Sequence, residues 1–308
     1  MNWTNKQGLP YPVVKAATGK SYTKGDADFS VTELNMPPRM RQLLQRHAEK
    51  LTRDVADSVA AMMGEALHLL FHQHYDPKDL AEKIMTVPVE VDGKTYKLKG
   101  QPDLYSVVED YTLFDYKFTS VWAWIMGGKV DWERQLNVYV RMLNAAAFPV
   151  KRIRAVGFWK DWKKSEAATN QDYPANNSTL VEVAMWQPEA TDAYVAGRIK
   201  AHVAAAALPD AELPDCTDEE RWARGASFAV MKGTRKSALK LFRLTDFNGD
   251  KKAAKAAAVK RAAEEGGFVV ERQAQSIRCM HWCDAAPFCG QFANILAETA
   301  SQPAEAAA

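Results

Sequence analysis

The chain has 308 residues, 47% of them hydrophobic and 25% charged, which supplies enough apolar material for a buried core and excludes an intrinsically disordered chain. Lys and Arg number 40 against 38 Asp and Glu, so a net charge of +2 points to no polyanionic partner by itself. No apolar run approaches the roughly 18 residues of a membrane span, and the polar stretch Met1 to Lys24 does not read as a secretory signal, so a cytoplasmic protein is expected.

In chain order, residues 1–29 read as an N-terminal extension. Ser30 can cap a short helix, and Pro37-Pro38 breaks the chain before Arg39. Apolar residues from Met40 to His74 recur at helical spacing and predict one or two amphipathic helices. Met85 to Val91 and Thr95 to Lys99 flank Asp92-Gly93, a strong hairpin signal. Strands are expected over Gln101 to Val108 and Tyr111 to Phe118, a helix over Trp132 to Leu143, strands at Ile153 to Trp159 and Thr179 to Trp186, and a closing helix over Glu189 to Ala206. Ala207 to Pro214 reads as a linker. After it come a hairpin about Gly233-Thr234, an Ala/Lys-rich helix from Lys251 to Glu265 stopped by Gly266-Gly267, and a short strand from Phe268. The predicted domains are a core over 30–206, a smaller α/β subdomain over 207–296, and a frayed Ala-rich tail over 297–308.

Two short runs carry chemistry: Gly100-Gln-Pro-Asp103 and Leu113-Phe-Asp115-Tyr-Lys117. On adjacent strands Asp103 and Asp115 can converge on one metal ion, with Lys117 on the same face as Asp115. Such carboxylates suit Mg²⁺ in phosphodiester hydrolysis, and the lysine can orient water or stabilise developing negative charge. Upstream, Gly64 and His68 lie one helical turn apart, the glycine permitting close approach and the histidine offering a ring nitrogen. Downstream, Gln135 and Tyr139 are also one turn apart and can hydrogen-bond to the site or to a nucleic-acid backbone. Glu90 is a further acidic candidate on the preceding strand, although a surface role suits it better, and Thr119 and Ser120 can meet a phosphate. Trp122, Trp124, Trp132, Trp159 and Trp162 crowd the same region; Trp159 reads as core, while Trp122 and Trp124 stay open between core and base stacking.

The order of these motifs resembles the RecB-like branch of the PD-(D/E)xK nucleases over about residues 60 to 160, with weaker likeness to Trp186. The resemblance implies a restriction-endonuclease-like core, a mixed sheet flanked by helices. It also implies that His68, Asp103 and Asp115 bind Mg²⁺ or Mn²⁺, that Lys117 is catalytic, and that Gln135 and Tyr139 support the site and bind DNA. The implied activity is metal-dependent hydrolysis of DNA, as an exonuclease acting on ends in replication, recombination or repair. A recombination or single-strand annealing protein is then a candidate partner, and the host cytoplasm the location if the gene is phage-borne. A structure-selective endonuclease, an RNA nuclease and a non-catalytic nucleic-acid-binding scaffold are the alternatives.

All four cysteines fall in the last third, Cys216 and then Cys279-x3-Cys283-x5-Cys289. Three clustered thiols and one distant partner satisfy a tetrahedral thiolate site, which would close a loop of more than sixty residues. A similar arrangement in CRISPR-associated RecB-like nucleases holds a 4Fe–4S cluster, but here the first cysteine follows the core instead of preceding it and the first spacing differs, so Zn²⁺ stays open. Lys232, Arg235, Lys236, Lys240 and Arg243 lie within twelve residues without an acid, and Lys251, Lys252, Lys255, Lys260 and Arg261 follow. Both stretches suit a solvated surface or DNA-backbone contacts, and Lys232, Arg235, Lys236 and Lys240 are the nucleic-acid-binding candidates.

Overall fold

The computed structural model describes residues 1–19, 25–125 and 129–301. Labelled in chain order, its main helices are α1 (Pro38–Arg46), α2 (Val59–His72), α3 (Lys129–Ala145), α4 (Pro188–Ala206), α5 (Lys251–Glu265) and α6 (Gly290–Ser301). Its main strands are β1 (Met85–Val91), β2 (Lys94–Gly100), β3 (Leu104–Ser106), β4 (Thr112–Thr119), β5 (Arg152–Trp159), β6 (Ser178–Glu182), β7 (Ser227–Met231), β8 (Lys240–Arg243) and β9 (Phe268–Arg272). They form two compact units: residues Met1–Met36 with Glu49–Ala207, and Pro37–Ala48 with the chain from Leu208 onward. The protein is α/β, with mixed sheets and helices.

In the N-terminal unit, Asp92 and Gly93 both have positive φ, 50° and 75°, which joins β1 to β2 by the tight turn that Asp-Gly favours. Alternation along β1 buries Val87, Val89 and Val91 on one face. A second sheet runs in the order β6-β5-β4-β3 and ends on the short strand Leu80–Ala81. Its β4–β5 pair is parallel and the others antiparallel. A parallel pair needs a crossover, and α3 supplies it. Leu136, Met142 and Leu143 of α3 are buried in one cluster with Leu113, Ile153 and Ala155 of the sheet. Each of the Leu, Ile and Met side chains contributes about 1.5–3 kcal/mol by leaving water. Ser30 and Glu33 form a reciprocal capping box, as the polar start suggests, with both bonds at 3.1 Å.

The structure corrects one boundary and resolves another. Residues 1–29 are no mere extension, because Asn2–Thr4 pairs with Thr52–Asp54 and Phe29–Ser30 pairs with β2. The helical periodicity from Met40 to His74 splits into α1 and α2, separated by the strand Thr52–Asp54 and a 3-10 turn at Val55–Ser58. The Asp54 carboxylate fixes the break by accepting from Thr4 Oγ1 at 2.7 Å and from the Ala56 amide at 3.1 Å. Helix α1 then joins the C-terminal unit through polar contacts that periodicity cannot reveal. Arg39 pairs with Asp215 at 2.9 Å and donates to the Pro214 and Leu213 carbonyls, Arg46 and His47 meet Asp210, and His47 stacks on Phe288 at 4.4 Å. The stretch read as a linker is thereby anchored.

In the C-terminal unit β8, β7 and β9 form an antiparallel sheet in that order. Ala254, Ala258 and Ala262, four residues apart on α5, pack on Phe228 and Val230. Gly266, at φ 63°, ends α5 in the left-handed conformation that its sequence position predicts. The tail expected from Ala297 continues α6 to Ser301, and its remainder lies outside the described residues. Among the described residues no helix is long and apolar enough to cross a membrane.

Candidate active site and cysteine cluster

Asp115 occupies the fourth position of β4, where the strand passes from buried to half-exposed. The β3–β4 ladder pairs Leu104 with Phe114, so one further step sets Asp103 opposite Asp115. Asp103 Oδ2 accepts the Tyr116 amide at 2.7 Å, which ties the Pro-Asp turn to the motif strand. Burial, and then the charge of Asp115, hold the Asp103 carboxyl well above its ordinary range. The Asp115 side chain is only 3% exposed, and its Oδ2 lacks a hydrogen bond among the described residues. The Lys117 ammonium lies 2.7 Å from that oxygen, close enough for ion pairing but off the hydrogen-bonding direction.

Lys117 Nζ also donates to Gln135 Oε1 at 2.9 Å, and Gln135 Nε2 reaches the Tyr139 hydroxyl at 3.5 Å. The motif lysine is therefore held between a carboxylate of its own strand and an amide of α3. Tyr139 is buried, and its ring touches the strand end, where a Cβ added to Gly100 would come within 2.8 Å of Tyr139 Cε1. That close approach explains the glycine before Gln101-Pro102-Asp103. It also directs the Tyr139 hydroxyl to Gln135.

His68 projects from α2 with Nε2 3.8 Å from Asp103 Oδ2 and Nδ1 3.1 Å from Glu82 Oε1. With Nδ1 engaged by Glu82, Nε2 is the ring nitrogen that faces Asp103. Gly64 is not needed for a close approach, since a Cβ there would meet only Phe118 Cβ at 4.0 Å. Glu82 is the residue that sequence reasoning missed. It follows a two-residue strand, has φ 49°, and donates its amide to the Asp103 carbonyl at 2.9 Å. No periodicity or motif in one sequence marks such a position. Glu90 pairs with Thr95 on the exposed side of the hairpin and stays outside the site. Ser120 donates to Asp161 at 2.5 Å. Trp159 is core, as expected, with Trp124 edge-on to it at 5.9 Å, while Trp122 is exposed.

No family model matches this chain, and no curated protein matches it. Among solved structures it is similar to one titled "Crystal structure of SSO0001", at a TM-score of 0.45 and 17% identity, over 62% of this chain and 82% of that one. So slight a likeness carries neither fold nor function across.

The cysteines gather within the C-terminal unit. Cys279 and Cys283 lie in and just after the short helix Ile277–His281, and the Cys289 carbonyl accepts from the Ala293 amide at the start of α6. Cys216 is held there by Gln291, whose side-chain amide takes the Cys216 N–H and returns a bond to its carbonyl, each 2.9 Å. All four thiols are free. Burial first, then Glu220 and the other three sulfurs, push the Cys216 thiol up to about 12, and burial likewise raises Cys279 and Cys283. Cys279, Cys283 and Cys289 line one cavity, and Gln291 of α6 ties Cys216 to the same region.

Among the described residues no group of three or more His, Cys, Asp or Glu side chains is arranged to hold a metal ion as it stands. The chemistry of both donor sets nevertheless fits one. Oxygen donors that include a buried carboxylate oxygen without a hydrogen bond suit a hard divalent cation, and four half-buried thiols suit zinc or iron. Lys232, Arg235 and Lys236 crowd the tip of the β7–β8 hairpin, and Lys240 opens β8. None has an acidic partner among the described residues. Lys251 and Arg261 of the second basic stretch are paired instead with Glu271 and with Glu264 and Glu265.

Proposed function

We propose that the N-terminal unit is a metal-dependent nuclease of the PD-(D/E)xK type, hydrolysing DNA phosphodiesters from ends. The observation that carries this reading is the juxtaposition on one strand end of the buried Asp115, the upward-shifted Asp103, and a lysine clamped between Asp115 and Gln135. A structural ion pair would not need a second buried carboxylate beside it, and two such groups in a low-dielectric site resist joint ionisation without a cation.

Asp103, Asp115 and His68 would hold Mg²⁺ or Mn²⁺, which when bound supplies Lewis-acid polarisation of the phosphoryl oxygen and an acidified water. Lys117 directs its ammonium at the negative charge that develops on the phosphoryl oxygens. Gln135 and Tyr139 restrict where that ammonium can sit. Glu82 fixes the ring of His68. Cys216, Cys279, Cys283 and Cys289 would hold a 4Fe–4S cluster or Zn²⁺ in a structural role within the C-terminal unit. DNA is the proposed partner, and a recombination or single-strand annealing protein would supply or receive its ends.

A substrate panel of linear duplex, closed circular duplex, flapped DNA and RNA, each with Mg²⁺ or Mn²⁺, tests the proposal. Degradation of linear DNA alone is expected. Cutting of circles would favour a structure-selective endonuclease, cutting of RNA alone an RNA nuclease, and no cleavage of any substrate a non-catalytic scaffold.

A further inference from the structure

The β7–β9 sheet of the C-terminal unit is covered on one face only. Paired residues in an antiparallel sheet share a face, so the registers sort its side chains into two sets. Phe228, Val230, Phe242 and Val269 pack with the alanines of α5. The opposite face carries three rows: Arg243, Ser227 and Arg272; Leu241, Ala229 and Val270; and Met231 with Phe268. Leu241 and Met231 belong to neither core cluster, and Phe268 and Val270 are 50% and 38% exposed.

Cations predominate around this hairpin, with Asp246 lining one cavity beside Leu241 and Arg243. From Ser227 to Arg243 the sequence has five cations and no acid. Arg243 and Arg272 flank Ser227 at one end of the apolar strip, and the hairpin tip carrying Lys232, Arg235 and Lys236 stands at the other. Glu271, the acid of β9, points to the α5 side, where it meets Lys251 at 2.9 Å. The Arg272 guanidinium reaches back along the strip to 4.0 Å from Met231 Sδ, so it lies over the apolar face, whose central Ala229 is buried, and Phe268 and Val270 are the exposed part of the strip.

We infer that this open sheet face is a binding platform for a single strand of nucleic acid, separate from the acidic site. Bases would lie on Phe268, Val270, Leu241 and the guanidinium planes, and phosphates would meet the cations at both ends. Flat apolar and aromatic surface between cationic ends matches a chain whose bases and phosphates alternate. A duplex hides its base faces and could use only the charges. A second copy of the chain would bring the same cations against each other, which disfavours self-association. The platform stands whether or not the acidic site cleaves DNA.

The test is fluorescence anisotropy of a fluorescein-labelled oligo-dT titrated with the full chain, without added divalent ion, across a salt series. Wild type is expected to bind the single strand more tightly than a duplex of equal length. Phe268→Ala, at an exposed position, should weaken binding at least about fivefold, the lower bound for one lost stack, and Phe268→Trp should retain it. Arg243→Gln with Arg272→Gln should lower the log–log salt slope by about 1.4, since each contact on a single strand contributes about 0.7. Unchanged affinity in both variants, or equal binding of duplex insensitive to Phe268→Ala, would overturn the platform. So would wild type sedimenting as a dimer that these variants dissociate, or wild type failing to bind the oligonucleotide.

Discussion

Replacing Asp115 by Asn should raise the stability of the metal-free protein while removing its response to divalent metal. The wild-type residue keeps a carboxylate in a 3% exposed position with one oxygen lacking a hydrogen bond, beside a second carboxylate already pushed upward. An under-bonded buried group costs about 1–3 kcal/mol and a charged one more; the amide is still polar but carries no charge to desolvate. The substitution also loses the Lys117 pair, worth at most about 1 kcal/mol because that ammonium is 20% exposed and keeps Gln135. The difference is about +1 kcal/mol, or about 2–4 °C in Tm for a unit of some 200 residues. Added Mn²⁺ should reverse the order. A ligand at a hundred times its Kd stabilises the native state by about 2.7 kcal/mol, and only wild type would receive it. Differential scanning calorimetry of both proteins, with and without Mn²⁺, makes the comparison. A lower metal-free Tm for Asp115→Asn, or equal Mn²⁺ shifts in both proteins, would refute the reasoning.

Four further outcomes follow from the same geometry. In metal-free buffer Asp103 binds its proton more tightly folded than unfolded, so the stability it contributes is full below its ordinary pKa and is lost as pH rises toward the elevated folded value; denaturant titrations at a series of pH values should show this fall, flattened in Asp115→Asn. Glu82→Gln should weaken Mn²⁺ binding about 10–100-fold by calorimetry through loss of ring orientation at His68, with little change in metal-free Tm. Lys117→Ala should lower kcat about 10²–10³-fold, and Gln135→Ala by less, because Asp115 still holds the ammonium. If the four thiols hold the proposed metal, elemental analysis should find iron or zinc in wild type and not in Cys216→Ser, and the substitution should lower the unfolding temperature of the C-terminal unit.

Elements whose own residues encode them were legible from sequence. Asp92-Gly93 dictates a turn that only positive φ satisfies, alternation specifies β1, and the 251–265 helix is bounded by Asp250, whose side chain caps it, and by Gly266. Strand alternation put Asp115 and Lys117 on one face, and the structure brings Asp103 and Gln135 beside them, whereas the roles given to these residues rest on the resemblance. What the sequence hid depends on contacts between distant polar groups. Arg39 draws α1 to Leu213, Pro214 and Asp215, and nothing in the helical pattern of residues 40–74 distinguishes that helix from α2. Glu82 reaches His68 from a two-residue strand, and Gln291 reaches Cys216 across 75 residues. The expectation of a glycine-mediated approach at Gly64 gave way because Phe118 leaves room there, whereas the tight contact lies at Gly100.

The most direct measurement is release of nucleotides from end-labelled linear duplex DNA by the purified chain, with and without Mg²⁺ or Mn²⁺, compared with Asp115→Asn and Lys117→Ala. The account predicts metal-dependent release that Asp115→Asn abolishes and Lys117→Ala reduces by at least about a hundredfold. Release that persists in Asp115→Asn, or that needs no divalent metal, would contradict it.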